Sequence, residues 1–376
     1  MTTKDHSLAT AARMAEGVLA AVQALLPAIA EAADRVDRDG AVAAETVAGL
    51  RDAGVFTLLQ PTGFGGRQID PGSYLAVVTE ISAACTSTGW LAAALAVNSW
   101  HLALFDGAAQ RDVWGADPGA LICSAYAPTG RLERTGDGFR LSGRWSRCAG
   151  VEHASWLIAG ALVVGEDGAA EDFTVALVPR KHYTVEETWN SLGLRGIGAH
   201  DVVASGAPVP AQHCFGWVSD AQRATLAPLY RLPQPTLYTH AGTAPLLGAA
   251  AGVLDAHRDQ MSNPLGALAM AAAGLEVSTL QIRRNLADLG ECARSGTIPD
   301  AELMLRARRD QVLAFERAMQ AVKRCVEQAG AAADARLDRV WRDMQTARLH
   351  AANDVERVLT AVGQFAFGLP VDDLIL

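Results

Sequence analysis

A mainly α-helical protein with a central β-domain is the fold class this sequence predicts, on three observations. Ala-rich, amphipathic periodicity fills the first and last thirds of the 376-residue chain. Between them, from about residue 119 to 230, short β-branched and aromatic runs alternate with Gly, Asp and Glu turns. No long helical pattern interrupts those runs, and neither GxGxxG nor GxxxxGK[ST] occurs, so a βαβ nucleotide unit is not indicated. The chain divides accordingly into an N-terminal helical domain (1–118), a central β-domain (119–230) and a C-terminal helical bundle (231–376).

Each element has its own warrant. In AARMAEGVLAAVQALLPAIAEAADRV, apolar residues recur at three- and four-residue steps, as one buried helix face requires. FTLLQPTGFGGRQIDPGS breaks that pattern with Pro and Gly and reads as a loop. Helix resumes through YLAVVTEISAACTSTGWLAAALAV and SWHLALFDGAAQRDVW. GFRLSGRWSRCAG, ASWLIAGALVV and DFTVALVPR then read as strands. Further on, Leu305, Val312, Phe315, Met319, Val322, Val326 and Ala329 form one helical stripe, with Asp300 as N-cap and Gly330 as the stop. That helix spans about 40 Å at 1.5 Å per residue.

Composition narrows the class of partner. Half the residues are hydrophobic and 19% are charged, enough for a large core. A net charge of −9 disfavours nucleic acid and anionic lipid. The six cysteines form no CxxC pair, which suits reduced thiols better than a disulfide framework or zinc ribbon. The first residues lack an apolar signal core, and runs such as APLLGAAAGVL are short for a bilayer. A cytoplasmic protein, without membrane or nucleic-acid partners, is expected.

No nucleophile elbow, HExxH or metal-spaced carboxylate cluster is present, and no metal site is expected. The candidates are polar residues inside apolar, Gly-punctuated segments. His101 sits in NSWHLALFD, eleven residues after Trp90, so the two share a face if the helix is continuous. In ICSAYAPTGR, strand alternation puts Ser124 and Tyr126 on one face, with Pro128 and Gly130 turning the chain. In GRWSRCAGVEHASW, the small Cys148, Ala149 and Gly150 suit either close approach of a planar ligand or a β-bulge. Arg195, between glycines, suits an anion or a cluster of carbonyls. Asp343 and His350 are seven apart, which reads as one helical face, with Asp354 four further on. An imidazole there is either a core histidine or a proton acceptor from a phenol. Arg342, Arg348, Glu356 and Arg357 nearby equally suit ion pairs between subunits.

The ordered series STGW, SWHLALF, SAYAPTG, GRWSRCAGVEHASW, GLRGIGAHDVV, RARRDQV, VWRDMQTARLHAANDVER and FGLPVDD resembles one family from about residue 40 onward. It is similar to the oxygenase components of two-component flavin-dependent monooxygenases with an acyl-CoA-dehydrogenase fold, phenol hydroxylases among them. The resemblance implies a helical domain, a β-barrel-like domain and a C-terminal four-helix bundle that assembles a homotetramer. It implies reduced FMN or FAD delivered by a separate NAD(P)H:flavin reductase, and O₂. The expected reaction is hydroxylation of a small aromatic, phenolic substrate, polycyclic phenols included, through a flavin C4a-hydroperoxide. By position, Trp90, Ser124, Ala125, Tyr126, Arg147, Cys148, Ala149, Ala331, Ala332 and Ala351 match flavin-contacting segments. His350 matches the substrate base and His101 a second substrate-side histidine, the two meeting over the flavin. Two departures stand out. Cys148-Ala149 replaces the family's serines before the glycine, leaving backbone, Ser146 or the Cys148 thiol to bond the flavin. QMSNPLG lacks the expected basic residue, for which Arg258 would substitute. N-oxygenation of an amine or amino sugar, an acyl-CoA dehydrogenase activity and a non-catalytic relative remain as alternatives.

Overall fold

Amphipathic ends and a β-rich middle fold as their patterns direct in a computed structural model of the chain, which describes residues 3–165, 167–216, 220–257, 265–330 and 333–371. Helices α1 (Thr3–Asp39), α2 (Ala44–Asp52), α3 (Pro71–Ala84), α4 (Thr86–Leu102) and α5 (Gly107–Trp114) come first. α1 packs on α3 and buries Val18, Val22, Ile29, Ala33 and Val36. By length and composition alone its Met14–Asp39 stretch could cross a membrane; the buried stripe shows that it serves as a core helix face. The expected single helix through YLAVVTEISAACTSTGW is two. The chain is extended at Cys85 (φ −153°, ψ 115°), where Thr86, Ser87 and Thr88 follow. β-Branching and local hydroxyl bonding favour a break there. α4 then runs unbroken through Trp90 and His101.

Seven strands follow: β1 (Ile122–Thr135), β2 (Gly138–Cys148), β3 (Trp156–Val164), β4 (Ala170–Pro179), β5 (Thr184–Glu186), β6 (His200–Pro210) and β7 (Cys214–Phe215). They form one sheet in the order β5-β6-β2-β1-β3-β4-β7. β1 and β3 are parallel; the other neighbours are antiparallel. Pro128 and Gly130 do not turn the chain. β1 runs past them, and the irregularity is a register shift against β3 between Ala125 and Gly130. Gly130 is required by packing, since a Cβ there would lie 2.5 Å from the Trp145 ring. β1 and β2 pair only over Arg131–Thr135 and Gly138–Ser142. The earlier part of β1, with Ser124 to Tyr126, therefore has an edge that β2 does not cover.

The chain continues through α6 (Asp220–Thr225), α7 (Gln234–Ala241), α8 (Ala244–His257), α9 (Leu265–Ser295), α10 (Ala301–Ala329), α11 (Ala335–Ala347) and α12 (Val355–Ala366). α10 is the hub of the bundle, packed on α8, α9, α11 and α12. Its Asp300 cap accepts the Leu303 N–H, and Gly330 ends it at φ 52°. Leu305, Val312, Phe315, Met319 and Val322 of the expected stripe are buried. Fully buried leucines such as Leu50, Leu58 and Leu59 each contribute about 1.5–3 kcal/mol relative to exposure. α11 stops at Ala347, so His350 is not on a helical face with Asp343. The stop has no Gly or Pro to announce it. Instead the Asn353 amide donates to Ala347 O (3.0 Å) at the end of α11 and to Gly242 O (3.4 Å) just past α7, tying the two helix ends together.

Candidate active site

His101 is wholly buried in an aromatic cage. Its ring centroid lies 5.4–5.8 Å from those of Phe105, Tyr126, Phe215 and Tyr238. Nδ1 is 2.8 Å from the Tyr126 hydroxyl and Nε2 is 3.1 Å from Gln234 Nε2. The two phenols hydrogen-bond each other, and both oxygens lie 3.2 Å from Asn98 Oδ1, so one phenol donates to the other and the second donates to Asn98. Asn98 is oriented unambiguously, because its NH₂ donates to Ala94 O and Ile122 O.

The Gln234 amide fixes the tautomer. Its Nε2 carries hydrogens and no acceptor lone pair, so it donates to His101 Nε2 and the proton of the neutral ring sits on Nδ1. Nδ1–H therefore donates to Tyr126. Burial pushes the His101 pKa down to about 3, so the ring is neutral. The same burial raises both phenols well above their ordinary value.

His350 lies between α11 and α12. Its ring meets Trp90 edge-on with centroids 5.4 Å apart. A Cβ on Gly242 would sit 3.5 Å from its Nδ1, an ordinary contact distance, so the end of α7 packs against this ring. Nδ1 accepts the Ala352 N–H at 3.2 Å, which leaves the proton of the neutral ring on Nε2. The ring keeps an open face, yet the surrounding protein, and then the Arg147 guanidinium, hold its pKa below the ordinary histidine value. Trp90 and His101 are eleven residues apart on α4, a rise of about 16 Å. Both histidines reach α7, His101 at Tyr238 and His350 about one turn further on at Gly242.

The strand-borne candidates line its β wall. Ser124 is half-buried and faces the Tyr126 phenol, while Ala125 is buried. Arg147 is exposed, with φ 64° at a register shift in β2 between Trp145 and Cys148. The bulge and close-approach readings of this segment are thus the same feature. Arg147 has no hydrogen bond or ion pair among the described residues. Neither proposed stand-in for the missing serines faces the cleft. Ser146 donates to Asp201 Oδ2 at 3.0 Å, and the buried Cys148 thiol points to Trp145 O. Ala149 is half-buried and Ala351 exposed. Ala331, Ala332 and Arg258 lie outside the described residues. An uncovered strand edge, small side chains, a free guanidinium and an indole wall together fit a flat, polar-edged heterocycle.

Other sequence candidates are structural. Arg195 binds carbonyls, Asp37 O at 2.7 Å and Ser191 O at 3.3 Å. Arg342 pairs with Asp37 and Asp338 of its own chain. Asp343 accepts the Leu194 N–H at 2.5 Å, and burial raises its carboxyl pKa to about 6. Three residues beside His101 escaped the sequence reading: Asn98, Gln234 and Tyr238. Asn98 lay within the segment already singled out. Gln234 and Tyr238 belong to DAQRATLAPLYRLPQPTLYTH, which carries no motif, and only α7's packing on α4 reveals them.

This fold and cleft define an acyl-CoA-dehydrogenase-like flavoprotein, and the similarities agree. Residues 15–116 match the acyl-CoA dehydrogenase N-terminal domain and residues 240–355 the acyl-CoA dehydrogenase C-terminal domain. The flavin-dependent monooxygenase oxygenase subunit HsaA of Rhodococcus jostii (strain RHA1) is 35% identical, across 94% of this chain and 98% of that protein. The FADH(2)-dependent resorcinol hydroxylase oxygenase component of Rhizobium sp. (strain MTP-10005) is 30% identical, across 87% and 88%. The crystal structure of the HsaA monooxygenase from M. tuberculosis superposes with a TM-score of 0.90 at 35% identity, covering 96% of this chain and 100% of that one. The chain belongs to the family of flavin-dependent monooxygenase oxygenase components: it is an aromatic hydroxylase that uses reduced flavin and O₂. A separate flavin reductase follows from that division of labour. The acyl-CoA dehydrogenase and non-catalytic readings are set aside.

Proposed function

We propose that reduced FMN or FAD lies along the cleft between Trp90 and Tyr126, and that His350 is the catalytic side chain. The observation that carries this reading is the neutral His350 ring, edge-on to Trp90 and within the field of Arg147, with Nδ1 occupied by the Ala352 N–H and its proton on Nε2. When bound, the reduced flavin supplies the electrons that activate O₂ for transfer of one oxygen atom to the ring.

The protein's part is positioning, shielding and one hydrogen. Trp90 walls the ring site. The Ser124–Tyr126 edge and the backbone of Arg147, Cys148 and Ala149 offer polar groups to a heterocycle's rim, and the Arg147 cation balances negative charge there. Ala351 leaves room beside His350; Ala331, Ala332 and Arg258 are proposed for the flavin's distal part. His350 acts as a donor through Nε2–H. Its lone pair is engaged by Ala352, so the base role implied by the resemblance does not fit this tautomer. His101 is a positioning residue, since it reaches the cleft only through Tyr126 and Gln234. The dry aromatic cage around it excludes water from the reacting ring. The division at residues 118 and 230, a homotetramer, a cytoplasmic location and the absence of membrane partners complete the proposal.

The test supplies chemically reduced FMN or FAD and O₂ to the whole chain with a set of phenols, and quantifies hydroxylated product and hydrogen peroxide. His350→Ala is expected to keep oxidising flavin while peroxide replaces product. Unchanged coupling removes His350 from its role.

A further inference from the structure

Beside the His101 cage lies a half-open chamber of about 200 Å³ whose walls include Tyr126, Phe173, Val175, Phe215, Gln234 and Tyr238. It joins the sheet to the first turn of α7. Its volume falls below the roughly 300–1,000 Å³ of sites for drug-sized ligands. Among the described residues, none of its lining side chains carries a charge. Nothing there compensates an anion for lost water, and desolvating an unpaired carboxylate is far costlier than desolvating a hydroxyl.

Among the described residues, the side-chain polar atom of this chamber left without a partner is on Gln234. Gln234 spends an N–H on His101 Nε2, since an amide nitrogen donates and does not accept, so its Oε1 is the end left for a ligand. An amide oxygen accepts from a hydroxyl and repels a carboxylate. The phenols of Tyr126 and Tyr238 are already engaged with each other and with Asn98.

We propose that this chamber seats the substrate as an uncharged hydroxyarene of one or two fused rings, its hydroxyl donating to Gln234 Oε1, and that it excludes arenes bearing a carboxylate. Longer uncharged substituents leave through the open side. The inference rests on the aromatic-hydroxylase reading for what happens next, but binding is separable from turnover. Gln234 thus selects the substrate, and His101 selects through it by holding the amide in one sense.

The test measures equilibrium binding to the full chain, without reductant, of 2-naphthol, naphthalene, 6-hydroxy-2-naphthoic acid and the methyl ester of that acid. The ester is expected to bind within about tenfold of 2-naphthol, and the acid more than about a hundredfold more weakly. An acid that binds as well as its ester overturns the proposal, as does an ester rejected along with the acid, because size would then be the filter. Gln234→Leu should weaken 2-naphthol about two- to tenfold and leave naphthalene unchanged. Equal losses for both would remove the proposed hydrogen bond. Coupled hydroxylation of 2-naphthol is scored separately. Correct sorting of ligands with no oxygenation would count against the reaction assignment and leave the chamber standing.

Discussion

The cleft holds the same side chain in two opposite states. His101 has no exposed surface, donates from Nδ1 and has its Nε2 capped by Gln234. His350 stands open at a non-helical turn, accepts at Nδ1 from Ala352 and presents Nε2–H. The first belongs to a saturated network that ties α4, β1 and α7 together. The second is held by one backbone hydrogen bond and a tryptophan edge. The lesson is that an imidazole's role follows from which nitrogen its surroundings occupy.

The comparison can be broken by experiment. The largest effect is expected from His101→Ala, which opens a cavity and strands Tyr126 and Gln234. It should cost about 3–5 kcal/mol of unfolding free energy, whereas His350→Ala should cost under about 1 kcal/mol while losing product. Chemical denaturation of both variants checks this, and equal losses would erase the distinction. Next is Gly193→Ala. A Cβ there would lie 2.1 Å from the Arg342 backbone carbon, so α11 must move. A cost of about 1–3 kcal/mol is expected, together with poorer coupling, because His350 follows α11; a normal melting temperature would contradict it.

Acid should act on the buried state. The folded-state pKa values of His101 and His240 are pushed down to about 3 and about 4 by burial. The unfolded chain therefore takes up protons first, and stability falls as pH drops below the ordinary histidine value of about 6.5. Asp343, raised to about 6, opposes this, gaining stability as pH falls from about 6 toward the carboxylate range. The histidines outweigh it, leaving a net loss on the order of 2 kcal/mol between pH 7 and 5. A melting temperature that rises over that interval would overturn the buried neutral state of His101. The smallest effect is expected from Gly242→Ala. The new Cβ would lie 3.3 Å from Ala352 Cβ and 3.5 Å from His350 Nδ1. Stability should change by less than about 1 kcal/mol, and a modest rise in peroxide release would register the displaced ring.

Much of this was readable along the chain. α10, with its Asp300 cap and Gly330 stop, is written in local chemistry, because caps and stripes act within a few residues. The strands of the middle third were equally plain. Two helix ends were not. Cys85 interrupts an Ala-rich run, and Ala347 ends α11 only because Asn353 folds back onto it. Trp90 and His101 were legible as one helical face, but the partner of each was not, since Gln234, Tyr238 and Gly242 arrive from a segment without a motif.

The amino-acid order by itself determined the helical and β-rich zones, and through an ordered series of segments the family and its flavin chemistry. Tertiary structure alone decided which nitrogen each histidine offers, that Ser146 and Cys148 turn away from the cleft, and that an uncharged chamber lies beside Gln234. The physical reason is range. Helix and strand preferences are set by neighbours in sequence, whereas a tautomer or a pKa is set by whichever donors, acceptors and apolar walls packing brings within a few ångströms.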